Sequence, residues 1–300
     1  MTTPPQKLLD LPVWKGEVST VPLTGGRSNE AYIASDDNGR CVVRFCHDIP
    51  VHHVNRDHEA MVSKASADAG FSPEMMLYEM PGDEGTMVFD FITAKTYDKD
   101  DVIENIERVV ARLRDFHHGV AEAVSGQPHL FNVFHVISDY IMTLKKGNSP
   151  YSGDLAGYKN ISQQLKAVQI PELLIFGHND LVPQNILDDG EKIWFIDFEY
   201  AAFSTPLSDL ANLASNAAFS AEQDQELLQL YYGEKASDDQ TKAMAALKCA
   251  LMLREMMWSM VSEIHLNVPD VDYPLYTGEC LEALNLELNS YQKTYGKFDI

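Results

Sequence analysis

The chain reads as an α+β protein in two parts, a small β-rich lobe over residues 1–92 and a larger helical lobe over residues 93–300. Three observations predict this. Short apolar runs separated by turn clusters fill the first part, and apolar residues at helical spacing dominate from Tyr97 onward. A strand–loop–strand segment at 173–197 interrupts the helices and carries the densest polar pattern in the chain.

The apolar runs are Val18–Leu23, Ala31–Ala34, Cys41–Phe45, Met75–Tyr78 and Thr86–Phe91, each bounded by Gly, Pro, Asn or Asp. Asp37-Asn38-Gly39 between two of them predicts a hairpin. One helix is expected over His53–Ala69, with Gly70 placed to end it. Val102, Ile106, Val109, Val110, Leu113 and Phe116 fall on one helical face. Further helices are expected near 130–146 and 155–168, then over 206–232, 238–265 and 274–292, with the joint between lobes near Asp90–Ala94.

Of 300 residues, 45% are hydrophobic and 23% charged, which suits a folded core. The net charge of −22 repels phosphate backbones, so no nucleic-acid partner is expected. No apolar run is long enough to insert in a membrane, and the N-terminus has no secretory pattern. The cysteines, Cys41, Cys46, Cys249 and Cys280, are scattered without a C-x-x-C pair and read as reduced thiols in a cytoplasmic protein. Oligomeric state is not legible.

The polar pattern is Gly177-His178-Asn179-Asp180-Leu181-Val182-Pro183-Gln184-Asn185, followed by an apolar run ending in Asp197-Phe198-Glu199-Tyr200. H-x-D-x-x-x-x-N places a carboxylate and a carboxamide on one short loop. A second carboxylate at the following strand end completes an oxygen donor set suited to Mg²⁺. Phosphoryl transfer asks for just these parts: a proton acceptor, a positioned hydroxyl and cations on the phosphates.

These residues resemble the choline/ethanolamine kinase family, within the wider group of aminoglycoside phosphotransferases and thiamine kinases. The segments that carry the resemblance are G-H-N-D-L-V-P-Q-N-I-L and I-D-F-E-Y-A. The resemblance implies a two-lobed protein-kinase-like fold with ATP and Mg²⁺ between the lobes. It implies Asp180 as base, Asn185 and Asp197 as metal ligands, and His178 as a brace of the loop backbone. Asp209, in Pro206-Leu207-Ser208-Asp209-Leu210-Ala211, is expected to accept hydrogen bonds from that loop. Glu199 matches a second acidic position, serving the metal, the acceptor or a turn.

In the first lobe, Gly25, Gly26, Ser28 and Asn29 form a candidate phosphate loop, since glycine lets a backbone approach phosphate. Arg44 on the third strand is the expected phosphate cation, with Glu59 as its partner. The segment through Asp90 and Ile92 is expected to offer backbone groups to adenine.

A quaternary ammonium is held by aromatic faces and carboxylates. Trp258 occupies the first aromatic place of the family's W-x-x-W element, and Val261 stands where the second would be. Trp258, Glu255, Tyr200 and Glu199 are the expected acceptor residues, with Phe203, Tyr273 and Tyr276 as further aromatics. His47, His52, His53 and His58 read as solvated. The implied reaction phosphorylates a small cationic alcohol, choline first. Ethanolamine, thiamine or an aminoglycoside is the alternative acceptor, and an ATP-binding pseudokinase the non-catalytic one.

Overall fold

The computed structural model describes residues 4–23, 29–127, 129–147, 149–266, 268 and 271–298. The expected apolar runs form an antiparallel sheet of five strands: β1 (Ser19–Leu23), β2 (Glu30–Asp36), β3 (Gly39–Cys46), β4 (Met75–Glu79) and β5 (Gly85–Asp90). Their order is β1-β2-β3-β5-β4. The Asp37-Asn38 turn lies between paired Asp36 and Gly39, whose φ of 131° suits glycine alone. Two helices belong to this half: α1 (Gln6–Leu9) and α2 (Arg56–Asp68). Asn55 caps α2 by accepting from the His58 amide at 2.8 Å, which sets its start three residues later than expected.

The second half holds β6 (Lys95–Thr96), α3 (Lys99–Glu104), α4 (Ile106–Gly119), α5 (Val133–Lys146) and α6 (Leu155–Ala167). It continues with β7 (Ile175–Gly177), β8 (Ile186–Asp188), β9 (Ile193–Phe195), β10 (Ala202–Ser204) and α7 (Pro206–Asn216). It ends with α8 (Ala221–Tyr232), α9 (Asp238–His265) and α10 (Tyr273–Tyr295). The strands pair as β10-β7 and β6-β8-β9. β6 and β10 are too short to show alternation in sequence. The expected helical stretch 206–232 is two helices, because Ala218 takes φ 55° and Ser220 caps the second with a reciprocal Gln223 bond.

Helix α9 is the axis of this half and packs against α5, α6, α7, α8 and α10. It is buried through most of Ala243–Ser262, so Trp258 lies inside the protein while Glu255 nearby stays partly exposed. The main core is one cluster running through these helices and includes Phe116, Phe195 and Phe198. Smaller clusters under the sheet gather Val43, Phe45 and Val88, and Cys46, Ala60 and Met87. Among the described residues no helix is long and apolar enough to cross a membrane.

Candidate active site

The loop after β7 begins with a steric demand. A Cβ on Gly177 would lie 2.4 Å from the Ser204 hydroxyl of the paired strand β10, so any other residue would have to push that side chain aside. His178 follows, fully buried. Its Nε2 bonds the Ile196 carbonyl at 2.9 Å, and its Nδ1 accepts the Asp180 amide at 3.3 Å. That pattern is the neutral ring protonated at Nε2, and burial holds its pKa low. The brace expected of His178 is therefore present.

Asn179 takes φ 61°, a conformation costly for a side-chain-bearing residue. Its amide nitrogen anchors the turn to the Tyr200 and Ala202 carbonyls at 3.1 and 3.2 Å. Asp209, fully buried on α7, accepts the backbone amides of His178 at 2.8 Å and Asn179 at 2.6 Å, and His117 Nε2 at 2.9 Å. Burial opposes its charge, but these donors outweigh it and hold its pKa below the usual range. The Asn212 side chain accepts the Leu181 amide. Every residue around Asp180 is thus tied at the backbone.

Asn185 closes the loop: its Nδ2 donates to the Asp180 carbonyl at 2.9 Å, and its own carbonyl accepts the Ile196 amide at 3.1 Å. With Nδ2 engaged, the carboxamide oxygen is the atom that could hold a cation. Asp197, one residue past Ile196, takes φ 67° and has a side chain 34% exposed. The Ile196 amide bond to Asn185 thus brings the start of the Asp197 segment beside the loop that carries Asp180 and Asn185.

Across from them, Arg44 on β3 binds the Glu59 carboxylate of α2 and reaches Asp197 Oδ1 at 3.1 Å. The expected pairing with Glu59 is present. Sequence reading missed Arg56, fully buried, which bonds Glu59 Oε2 at 2.6 Å, Glu199 Oε2 at 2.9 Å and Asn29 Oδ1 at 3.1 Å. Its three-residue spacing from Glu59 is the signal that could have found it. Burial opposes charge on Glu59, yet the two arginines hold its pKa low. Glu199 is raised by its burial and by Asp197, with Arg56 opposing. What the structure shows of Glu199 is an ion pair with Arg56 that the sequence did not suggest.

The nucleotide residues are only partly placed. Gly25, Gly26 and Ser28 lie outside the described residues. Asn29 is bound to Arg56. The Asp90 amide donates to the Glu74 carbonyl at 2.9 Å, so that donor is not the one adenine would meet, and Ile92 lies just beyond β5.

The acceptor side departs most. Tyr200 is buried, and the guanidinium of Arg254 lies 4.3 Å over its ring. Trp258 is 9% exposed, stacked on His52 at 5.0 Å. His52 is fully buried and bridges Tyr140 and Ser262, each at 2.9 Å. His58 is also buried, bonding the Ala201 carbonyl at 2.8 Å and stacking on His129 at 3.7 Å. The expectation that these two histidines are solvated is corrected: the turn at 50–52 and the first turn of α2 press them into the second half. Phe203 packs on Phe176 at 5.3 Å, Tyr273 sits edge-on to Trp258, and Tyr276 donates to Glu255 Oε1 at 2.8 Å. Glu255 also accepts from Arg254 Nη1 at 3.1 Å. The faces of Tyr200 and Trp258 therefore each carry a protein neighbour on one side.

Asp180 is held well above the usual carboxylate range by burial, with Arg254 opposing and Asp197, Glu199 and Glu255 adding. A carboxyl with a raised pKa, two side chains whose oxygens could hold a hard cation and an arginine beside them fit the parts that phosphoryl transfer asks for.

This two-lobed kinase-like fold and its loop define a small-molecule kinase. The chain belongs to the choline/ethanolamine kinase family, whose model matches residues 20–278. Protein LicA of Haemophilus influenzae is 23% identical over 248 residues, covering 80% of this chain and 71% of that protein. A choline/ethanolamine kinase family protein from Mesorhizobium loti superposes with a TM-score of 0.73 at 26% identity, covering 94% of this chain and 92% of that one. The choline kinase LicA of Streptococcus pneumoniae superposes with a TM-score of 0.70 at 18% identity, covering 91% and 95%, a likeness of fold.

Proposed function

We propose that the chain transfers the γ-phosphoryl group of ATP, with Mg²⁺, to the hydroxyl of a small acceptor alcohol, residues 1–92 holding the nucleotide and 93–300 the acceptor. The observation that carries this reading is the braced loop that holds Asp180 and Asn185, with Asp197 after the next two strands bound by Arg44.

A carboxamide and a carboxylate oxygen fit Mg²⁺, which keeps several waters and needs few protein ligands beside phosphate oxygens. Among the described residues no group of three His, Cys, Asp or Glu forms a richer metal site. Bound there, Mg²⁺ would neutralise charge on the phosphates. Arg44, fixed by Glu59, grips the α/β phosphates. Asp180 takes the acceptor's hydroxyl proton as that oxygen bonds to the γ-phosphorus. The bond from that phosphorus to the bridging oxygen breaks, and ADP leaves with the electron pair. Neutralising Asp197 removes one of the charges that hold a proton on Asp180.

Choline and ethanolamine are the family's acceptors, and the sequence favours choline. The occupied faces of Tyr200 and Trp258 give a quaternary ammonium less room than that expectation requires. ADP release with Mg²⁺ and ATP, across choline, ethanolamine, thiamine, an aminoglycoside and hydroxylated amino acids, tests the proposal. Release driven by one acceptor supports it. ATP binding without release for any acceptor contradicts it.

A further inference from the structure

A cleft of about 580 Å³ opens between the segment leading into α2 and the segment leading into α5. Its wall includes Asp48, His58, His129, His135, Glu199 and Tyr200, and among the described residues no lysine or arginine. The cleft lies against the catalytic loop. The Tyr200 and Ala202 carbonyls, on residues of its wall, both accept Asn179 Nδ2, at 3.1 and 3.2 Å, one residue before Asp180. Glu199 stands two residues after Asp197. His52 also lines the cleft and stacks on Trp258. The cleft thus meets Glu199 and Tyr200 directly and Trp258 through His52, three of the residues expected to hold the acceptor.

Its rings are closed on one another. His58 and His129 stack at 3.7 Å with planes 4° apart, His52 and Trp258 stack at 5.0 Å, and the Arg254 guanidinium covers Tyr200 at 4.3 Å. A quaternary ammonium has no N–H to donate and is held between ring faces. These pairs leave no gap between them for one. What remains is edges and oxygens. His58 donates through Nε2 to the Ala201 carbonyl at 2.8 Å, which leaves Nδ1 as an acceptor. His129 and His135 are exposed, and among the described residues their ring nitrogens have no hydrogen-bond partner. Glu199 spends Oε2 on Arg56 and Asp48 spends Oδ1 on the Arg56 amide, so Oε1 and Oδ2 are left without partners among the described residues. Carboxylate oxygens and imidazole lone pairs suit a cation that carries several N–H donors, as a primary ammonium does.

We propose that this cleft holds the ammonium end of the acceptor and selects a primary amine over a quaternary one, Glu199 and the imidazole nitrogens of His129 and His135 taking its N–H groups. The acceptor is then a primary amino alcohol of the ethanolamine kind. His129 and His135 are specificity-determining residues, on a segment the sequence reading left aside. This inference rests on the phosphotransferase reading for the role of the bound amine as acceptor.

A methylation series isolates the N–H groups. Ethanolamine, N-methylethanolamine, N,N-dimethylethanolamine and choline differ only in how many N–H donors the cation keeps. With Mg·ATP at about pH 8, where imidazoles are neutral and the amine is charged, kcat/KM should fall along the series. Ethanolamine should exceed choline by about tenfold or more. The double variant His129→Phe/His135→Phe keeps the rings and removes their nitrogens, and should lower that ratio by about fivefold or more. Both constants come from one preparation, so any loss of folded protein cancels in the ratio. A smaller wild-type ratio, or one the double variant keeps, overturns the proposal and leaves the phosphotransferase reading standing. Calorimetric titration beside a non-hydrolysable ATP analogue separates the two. Ethanolamine bound more tightly than choline, with no ADP release for any acceptor, would sink the phosphotransferase reading and leave the amine cleft.

Discussion

The Arg44 guanidinium stands 3.1 Å from the Asp197 carboxylate, and through Glu59 it is joined to Arg56 and on to Glu199. This chain of alternating charge links the third strand, the helix beside it and the end of the catalytic segment. Arg44→Met should raise the KM for ATP by roughly tenfold or more, with Arg44→Lys intermediate, because a point charge cannot replace a fork. Steady-state kinetics at varied ATP check this. An unchanged KM would remove Arg44 from the nucleotide site.

The same chain should matter for stability. Glu59 is 1% exposed and meets both arginines, so Glu59→Gln leaves two buried cations short of a charge. Breaking a buried pair in this way costs about 3–5 kcal/mol. Denaturant unfolding of the variant should show a loss of that order.

Asp209 holds the loop from below through two backbone amides and His117. Asp209→Ala should destabilise the protein by about 3 kcal/mol or more and lower kcat. A variant with normal stability and turnover would show that the loop keeps its shape without this anchor.

Gly177→Ala should cost about 1–3 kcal/mol, since its Cβ would lie 2.4 Å from Ser204 Oγ. Ser204→Ala in the same chain should restore part of the loss, because the next neighbours are farther, at 3.1 and 3.3 Å. Thermal unfolding of the single and double variants decides whether the contact is the cause.

His52 gives a pH dependence with a definite sign. Burial, with Arg254, His53 and His265 adding, lowers its pKa from 6.5 to about 3. The unfolded chain binds a proton there below about pH 6.5 and the folded chain does not until about pH 3. This contribution to stability is full above the upper value and is lost as the pH falls through that window, at up to about 1.4 kcal/mol per pH unit. Wild-type stability should therefore fall more steeply than that of His52→Gln between pH 6 and about 4 in denaturant titrations.

The loop was legible because its chemistry is consecutive. Asp180, Asn185 and Asp197 lie on one short segment, and the turn residues there have few bland uses in that order. Arg44 and Glu59 were legible from their places on a strand and the next helix. Arg56 and Arg254 were not. An arginine on a helix is nearly always a surface group, and sequence offers no sign that the fold closes over it. The burial of Trp258 was not legible either: α9 packs against five helices, and the ring stacks on His52 inside them. His52 and His58 are buried by contacts with Ser262 and Ala201, some 210 and 143 residues away in sequence. The break at Ala218 has no glycine to announce its positive φ.

The central claim is that Asp180 takes the acceptor proton on a loop that also positions magnesium. Turnover of Asp180→Asn, measured beside its affinity for Mg·ATP, tests it most directly. The account predicts a loss of roughly a hundredfold or more in kcat, with nucleotide affinity within a few-fold of wild type. Turnover near the wild-type level with the same affinity would contradict it.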